Sequence, residues 1–280
     1  MPVGGGEDLT GPREIPGRQG GTVLSVVVPV YGCAATVRLL HRRITAAVST
    51  LTDRFELILV DDRAEDGAWP MMRALAERDA KVVACRLARN VGQSLATAAG
   101  LAQSAGDHAV VMDCDLQDPP EAIPDLYRAA RGDVDIVFGR RTGKYRSAAR
   151  HAVKKIYVAI FALAVGRPFD SELGAFGVVS RRVVDAVLRM NDPDFNYFMA
   201  LCWLDVPKTV VPYRREPRSS GRSSYNLARL FSLTRSVLSF AWRSRSRAAG
   251  ADRGAYYEIA EIVDRRTGTR SPIAAAGDSP

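Results

Sequence analysis

The chain has 280 residues, 47% hydrophobic and 25% charged, an ordinary globular composition that can bury one large α/β core or two small ones. No N-terminal apolar stretch resembles a signal peptide, and the longest apolar run, IYVAIFALAV, is too short to span a bilayer. The net charge of +8 points to an anionic partner, a nucleotide, phosphate, membrane surface or nucleic acid, and much of it lies late, between Arg214 and Arg247.

Residues 1–21 are Gly/Pro-rich and read as a disordered tail. From there, β-branched runs alternate with helical patterns. TVLSVVVPV is a strand and AATVRLLHRRITAAVSTL an amphipathic helix. FELILVDD and AWPMMRALAERD repeat the pair, as do KVVACRL and QSLATAAGLAQSA. HAVVMDCD is a fourth strand, a helix follows over about 121–131, and VDIVFGRR is a fifth strand. Alternation of this kind predicts right-handed βαβ units and a mostly parallel sheet flanked by helices. The second half reads as more helical, with an antiparallel strand at KTVVPY. Residues 226–247 form a basic amphipathic pattern, and 248–280 read as a flexible tail with a helical turn around AYYEIAEIV.

Ligands of such sheets bind beyond the carboxyl ends of the strands. Those ends carry Pro29 and Tyr31, Asp61 and Asp62, Asn90, Asp113 and Asp115, and Arg140 and Arg141. In VVMDCDLQDPP, Asp113 and Asp115 lie two apart, on the same side of an extended chain. Unpaired, they repel each other and resist desolvation. A hard divalent cation, Mg²⁺ or Mn²⁺, removes that conflict, with the amide oxygen of Gln117 as a third ligand. Asn90 and Gly92 open a helix whose free N–H groups favour negative charge. Cys33, Cys85, Cys114 and Cys202 are far apart in sequence and form no C-x-x-C, which favours small buried hydrophobes in a reducing cytoplasm over disulfides or zinc ligands. The three histidines fit no metal spacing.

The ordered set VVVPVYG, LVDDRAEDG, RNVGQSLATAAGLAQSAGD and VMDCDLQDPPEAIPDL resembles the signatures of family 2 glycosyltransferases with the GT-A fold. DLQDPPE, GRR and REPRSSGRSSYN are similar to its polyprenyl-phosphate branch, which includes dolichol-phosphate mannose synthases and undecaprenyl-phosphate sugar transferases. The resemblance implies an inverting, metal-dependent transfer from a UDP- or GDP-sugar to a polyprenyl phosphate. Pro29 and Tyr31 would border the base, Asp61 or Asp62 would accept from a base N–H, and Asp113, Asp115 and Gln117 would hold the metal. Arg140 or Arg141, with Arg150, would hold the acceptor phosphate. Asp170 would orient the sugar or act as a weak base. Arg218, Gly221, Ser223 and Tyr225 match the family's lid loop. Two departures stand out: Arg63 follows the DD pair where the family has a small residue, and Gly177 follows Phe176 where the branch has an arginine. The amphipathic segment would lie on a membrane surface. The rival readings are a same-fold enzyme with a soluble hydroxyl acceptor and a nucleic-acid binder; the latter lacks any recognisable motif or aromatic interleaving.

Overall fold

The computed structural model describes residues 23–142, 170–190, 192–216, 256–266 and 269–271, with single residues at 162 and 239. Its centre is a nine-stranded sheet in the order β7-β5-β6-β4-β1-β2-β3-β8-β9. The strands are β1 (Leu24–Val30), β2 (Phe55–Asp61), β3 (Val82–Leu87), β4 (His108–Val111), β5 (Ile136–Thr142), β6 (Leu173–Ser180), β7 (Lys208–Arg214), β8 (Ile259–Asp264) and β9 (Thr269–Ser271). Strand β1 pairs in parallel with β2 and β4, and β2 with β3. Among the described strands, β6 and β8 run against the rest.

The central strands β1 and β2 are buried at every position and mostly apolar, because both faces are covered. Val27, Ile58, Val60 and Val83 face α3 (Gln93–Ala102), α5 (Arg181–Arg189) and α6 (Tyr197–Trp203). Val26, Val28, Leu57 and Leu59 face α1 (Val37–Ser49), α2 (Ala68–Arg78) and α4 (Ile123–Ala129). Helices α5 and α6 are capped by their preceding residues: Ser180 accepts from the Val183 N–H, and Asn196 from that of Met199.

Three expectations change. KTVVPY is β7, but it pairs in parallel with β5 over its whole length, because β6 returns antiparallel between β4 and β5 and resets the direction. AYYEIAEIV is no helical turn: Ile259–Asp264 forms β8, antiparallel to β3, so part of the segment read as flexible belongs to the sheet. It covers what would otherwise be an exposed edge of β3. Arg266 then reaches the fully buried Glu56 at 2.9 Å, whose other oxygen accepts from Ser25 Oγ and the Ala105 N–H. Third, Cys33 and Cys114 are joined in a disulfide across a sequence separation of 81. Adjacent pairing of β1 and β4 brings the turns after both strands together, which spacing along the chain does not reveal. The thiol pattern therefore gives no support to a reducing compartment; Cys85 and Cys202 are free, the former buried. No described helix is long and apolar enough to cross a membrane. The segment 226–247 lies outside the described residues except at Ser239, whose hydroxyl donates to Asp194.

Candidate active site at the strand ends

The turn after β4 has an unusual backbone. Leu116 has φ +59°, a left-handed conformation costing about 1–2 kcal/mol in a residue with a Cβ. That twist lets the Asp115 carboxylate accept from the Gln117 N–H at 3.1 Å. Thr36 braces the turn: its hydroxyl lies within hydrogen-bond distance of the carbonyls of Cys33 and Cys114, which share its one proton. The Asp113 carboxylate accepts from the Gln93 amide at 2.5 Å. Desolvation by the surrounding protein, with the carboxylates of Asp118 and Asp115, pushes the Asp113 pKa up to about 6, against the opposing pull of Arg141 and Arg215. Crowded carboxylates of this kind suit a hard cation. Among the described residues no three acidic, His or Cys side chains form a complete cage. The Asp113 and Asp115 carboxylates and the Gln117 amide oxygen are donors of the hard type that such a cation takes.

Behind this turn lies a network built by β5 and β7, whose register sets Arg141 opposite Tyr213. Arg141 Nε donates to the Tyr213 oxygen at 3.2 Å, and the Tyr213 hydroxyl donates to Asp118 at 2.5 Å. Asp118 is 1% exposed and lies 3.6 Å from Arg141 Nη2 and 3.7 Å from Arg215 Nε. Two glycines make room: a Cβ on Gly139 would meet the Tyr213 ring at 2.8 Å, and one on Gly174 would meet Arg141 Nη2 at 2.7 Å. Burial works against the Arg141 charge, but Asp118, Tyr213 and Asp113 outweigh it and raise its pKa. Arg43 completes the frame by bridging Glu121 and Glu216, while the Glu216 N–H donates to the Gln117 carbonyl. The sequence placed Arg141 here but gave no role to Asp118, Tyr213, Arg215 or Gln93. Their one signal was position, close to strand ends.

On the other flank, Pro29 is buried within β1 and the Tyr31 side chain stands exposed beyond it. Asp61 and Asp62 are both buried, and burial raises both pKa values. They differ in employment. Both oxygens of Asp62 are taken by the N–H groups of Val91 and Gly92, at 2.8 and 3.0 Å, which fixes the loop before α3. Asp61 accepts from the Ala64 N–H, and its other oxygen has no hydrogen bond, with Arg86 Nε at 3.1 Å. Asn90 is exposed beside Gly92, whose φ of +87° opens α3. Arg63 has φ +57°, which accounts for the small residue the resemblance leads one to expect there.

Asp170 is paired with Arg140 at 2.8 Å on the surface and accepts from the Glu172 N–H. Gly177 lies in β6, and a Cβ there would collide with the Val137 carbonyl oxygen, so the close approach of β5 and β6 accounts for the missing arginine. Arg150, Arg218, Gly221, Ser223 and Tyr225 lie outside the described residues.

The family described as glycosyl transferase family 2 matches residues 25–172, more than half the chain. An undecaprenyl-phosphate 4-deoxy-4-formamido-L-arabinose transferase from Photorhabdus laumondii is 33% identical over 217 residues, covering 77% of this chain and 66% of that protein. Its namesake from Serratia proteamaculans is 32% identical over 211 residues, covering 75% and 65%. The chain thus spans just under two thirds of these relatives' length. Among solved structures, glucosyl-3-phosphoglycerate synthase from Mycobacterium tuberculosis, in complex with Mn²⁺, UDP and phosphoglyceric acid, superposes with a TM-score of 0.55 at 22% identity, covering 82% of this chain and 81% of that one. A mannosyltransferase from Pyrobaculum calidifontis, in complex with GDP-Man and Mn²⁺, gives 0.51 at 14% identity, covering 83% and 77%. The sheet and its flanking helices are thus the GT-A architecture, and the chain belongs to glycosyl transferase family 2.

Proposed function

We propose that the protein is an inverting, metal-dependent glycosyltransferase that moves a sugar from a UDP- or GDP-sugar to a polyprenyl phosphate. The observation that carries the reading is the acidic turn of Asp113 and Asp115 set directly against the Arg141 network at the strand ends. The names of the relatives support the acceptor class. Asp113, Asp115 and Gln117 would hold Mg²⁺ or Mn²⁺ on the donor diphosphate, where the cation supplies Lewis-acid stabilisation of the departing nucleotide. Tyr31 would stack on the base, bordered by Pro29. The Asp61 oxygen beside Arg86, which has no hydrogen bond, would accept from a base N–H, while Asp62 keeps the Asn90–Gly92 loop in place. Arg141, with Arg150, would hold the acceptor phosphate, which is already anionic and needs positioning more than deprotonation. Its oxygen forms the bond to the anomeric carbon as the bond from that carbon to the nucleotide diphosphate breaks, and attack from the opposite face inverts the configuration. Asp170 would orient the sugar from its pair with Arg140. Arg218 and Ser223 would close over the phosphates. Residues 22–225 would form the catalytic domain, and the basic helix of 226–247 would rest on a membrane surface.

Asp115→Asn should lower turnover at least about a hundredfold, a loss of about 3 kcal/mol of transition-state stabilisation, with the fold intact. The assay is nucleotide release from a panel of nucleotide sugars with a short polyprenyl phosphate. Full turnover in excess EDTA would sink the metal. Transfer to a hydroxyl acceptor with every polyprenyl phosphate ignored would sink the lipid acceptor and leave the donor half standing.

A further inference from the structure

Arg141 and Arg215 approach the same carboxylate from two strands, β5 and the segment leaving β7. At 3.6 and 3.7 Å neither guanidinium is within hydrogen-bond distance of Asp118. Asp118 Oδ2 and Arg215 Nε are buried with no hydrogen-bond partner. Asp118 therefore faces two permanent cations without a hydrogen bond to either, and the Arg215 Nε–H is left without an acceptor. A buried, unsatisfied guanidinium N–H is costly and is tolerated where a ligand completes it. Everything behind the pair is fixed. The Tyr213 ring lies against Phe176 edge to face at 5.1 Å and fills the space left by Gly139. Its single proton goes to Asp118, so its oxygen is left to accept from Arg141. The pair also faces the acidic turn closely enough for both guanidinium charges to act on Asp113.

We propose that Arg141 and Arg215 together form a binding site for one phosphate group, with Asp118 and Tyr213 as the positioning residues that hold the two guanidiniums in register. Planar N–H forks match phosphate oxygens in pairs, which an ammonium does not. The inference rests on the reading above for the presence of phosphate ligands, and it adds Arg215, Asp118 and Tyr213 to the site. The phosphate is that of the lipid acceptor or that of the donor nucleotide, and separate titrations tell them apart.

The experiment is calorimetric titration of the full chain, in Mn²⁺, with farnesyl phosphate and with UDP. Arg215→Gln should weaken one of the two about tenfold or more, as for a lost charge-assisted phosphate contact, and leave the other within about twofold. Loss on farnesyl phosphate assigns the acceptor; loss on UDP assigns the donor. Arg215→Lys, which keeps the charge and the fold, should weaken the same ligand by an intermediate factor. Tyr213→Phe keeps the ring and drops the hydroxyl, so it should weaken that ligand alone by several-fold; a merely structural tyrosine would leave both affinities in place or move both. Wild-type affinity for both ligands in Arg215→Gln and Arg215→Lys overturns the pair. An enzyme that transfers sugar to polyprenyl phosphate normally with Gln at position 215 also overturns the pair and leaves the function standing. Phosphate binding that depends on Arg215 in a protein that transfers no sugar does the reverse.

Discussion

At Asp113 the local field and the proposed ligand pull in opposite directions. Its carboxyl is held at about 6, against an ordinary value of 3.8, so without a cation the ionised form is disfavoured in the folded protein. The sign follows from linkage: the cost to stability is present above about pH 6 and is relieved as pH falls toward 3.8. A cation needs the ionised form, so Mn²⁺ affinity should be full above pH 6 and fall by up to about tenfold per unit below it. Titration of Mn²⁺ at pH 7 and pH 5 checks this, and equal affinities would remove Asp113 from the ligand set. The adjacent carboxylates of Asp61 and Asp62 separate by a second test. Asp62→Ala strands two backbone N–H groups and should cost about 2–4 kcal/mol in denaturant unfolding. Asp61→Ala should weaken UDP or GDP binding by about 1–3 kcal/mol. A stable but weak-binding Asp62→Ala would reverse the two roles. The D-x-D pair was legible because two-residue spacing fixes direction on a strand. The partnership of Asp118 with Tyr213 was not, because 95 residues separate them and only strand order brings them together.

Elements were legible wherever burial on both faces left a mostly apolar, β-branched run, as in β1 and β2. Direction and membership were not. The direction of β7 depends on where β6 inserts, a property of the whole sheet. Strand β8 was hidden by its own pattern: Ile259, Ile262 and Val263 are its buried apolar residues, a spacing that reads as helical. The register shift between Arg86 and Leu87 on its partner explains the broken alternation. The docking of this strand has an energetic test. Arg266→Met removes a charged partner from Glu56, which is 0% exposed, and should cost about 1.5–3 kcal/mol in urea unfolding. Unchanged stability would show that β8 contributes little to holding the sheet edge.

Taken whole, the candidate site residues that the structure describes lie along one rim of the sheet, at the carboxyl ends of the parallel strands. The disulfide gives that rim a further property. Bonding Cys33 to Cys114 makes the intervening chain a covalent ring, which carries α1, β2, α2, β3, α3 and β4. A ring can be cut once without coming apart. Exposed turns lie within it at Asp53–Arg54 and Glu65–Gly67. A protease nick at either should leave two fragments that migrate as one chain on a denaturing gel until a thiol reductant is added, whereas a nick beyond Cys114 should release its fragment at once. Separation of ring-nicked fragments without reductant would show that the bond is absent. Closing a loop of this length is worth about 4 kcal/mol against unfolding. Just under a third of the chain, including the Asp61 and Asp62 turn, is therefore topologically closed, and a single backbone break there leaves both pieces tethered in place.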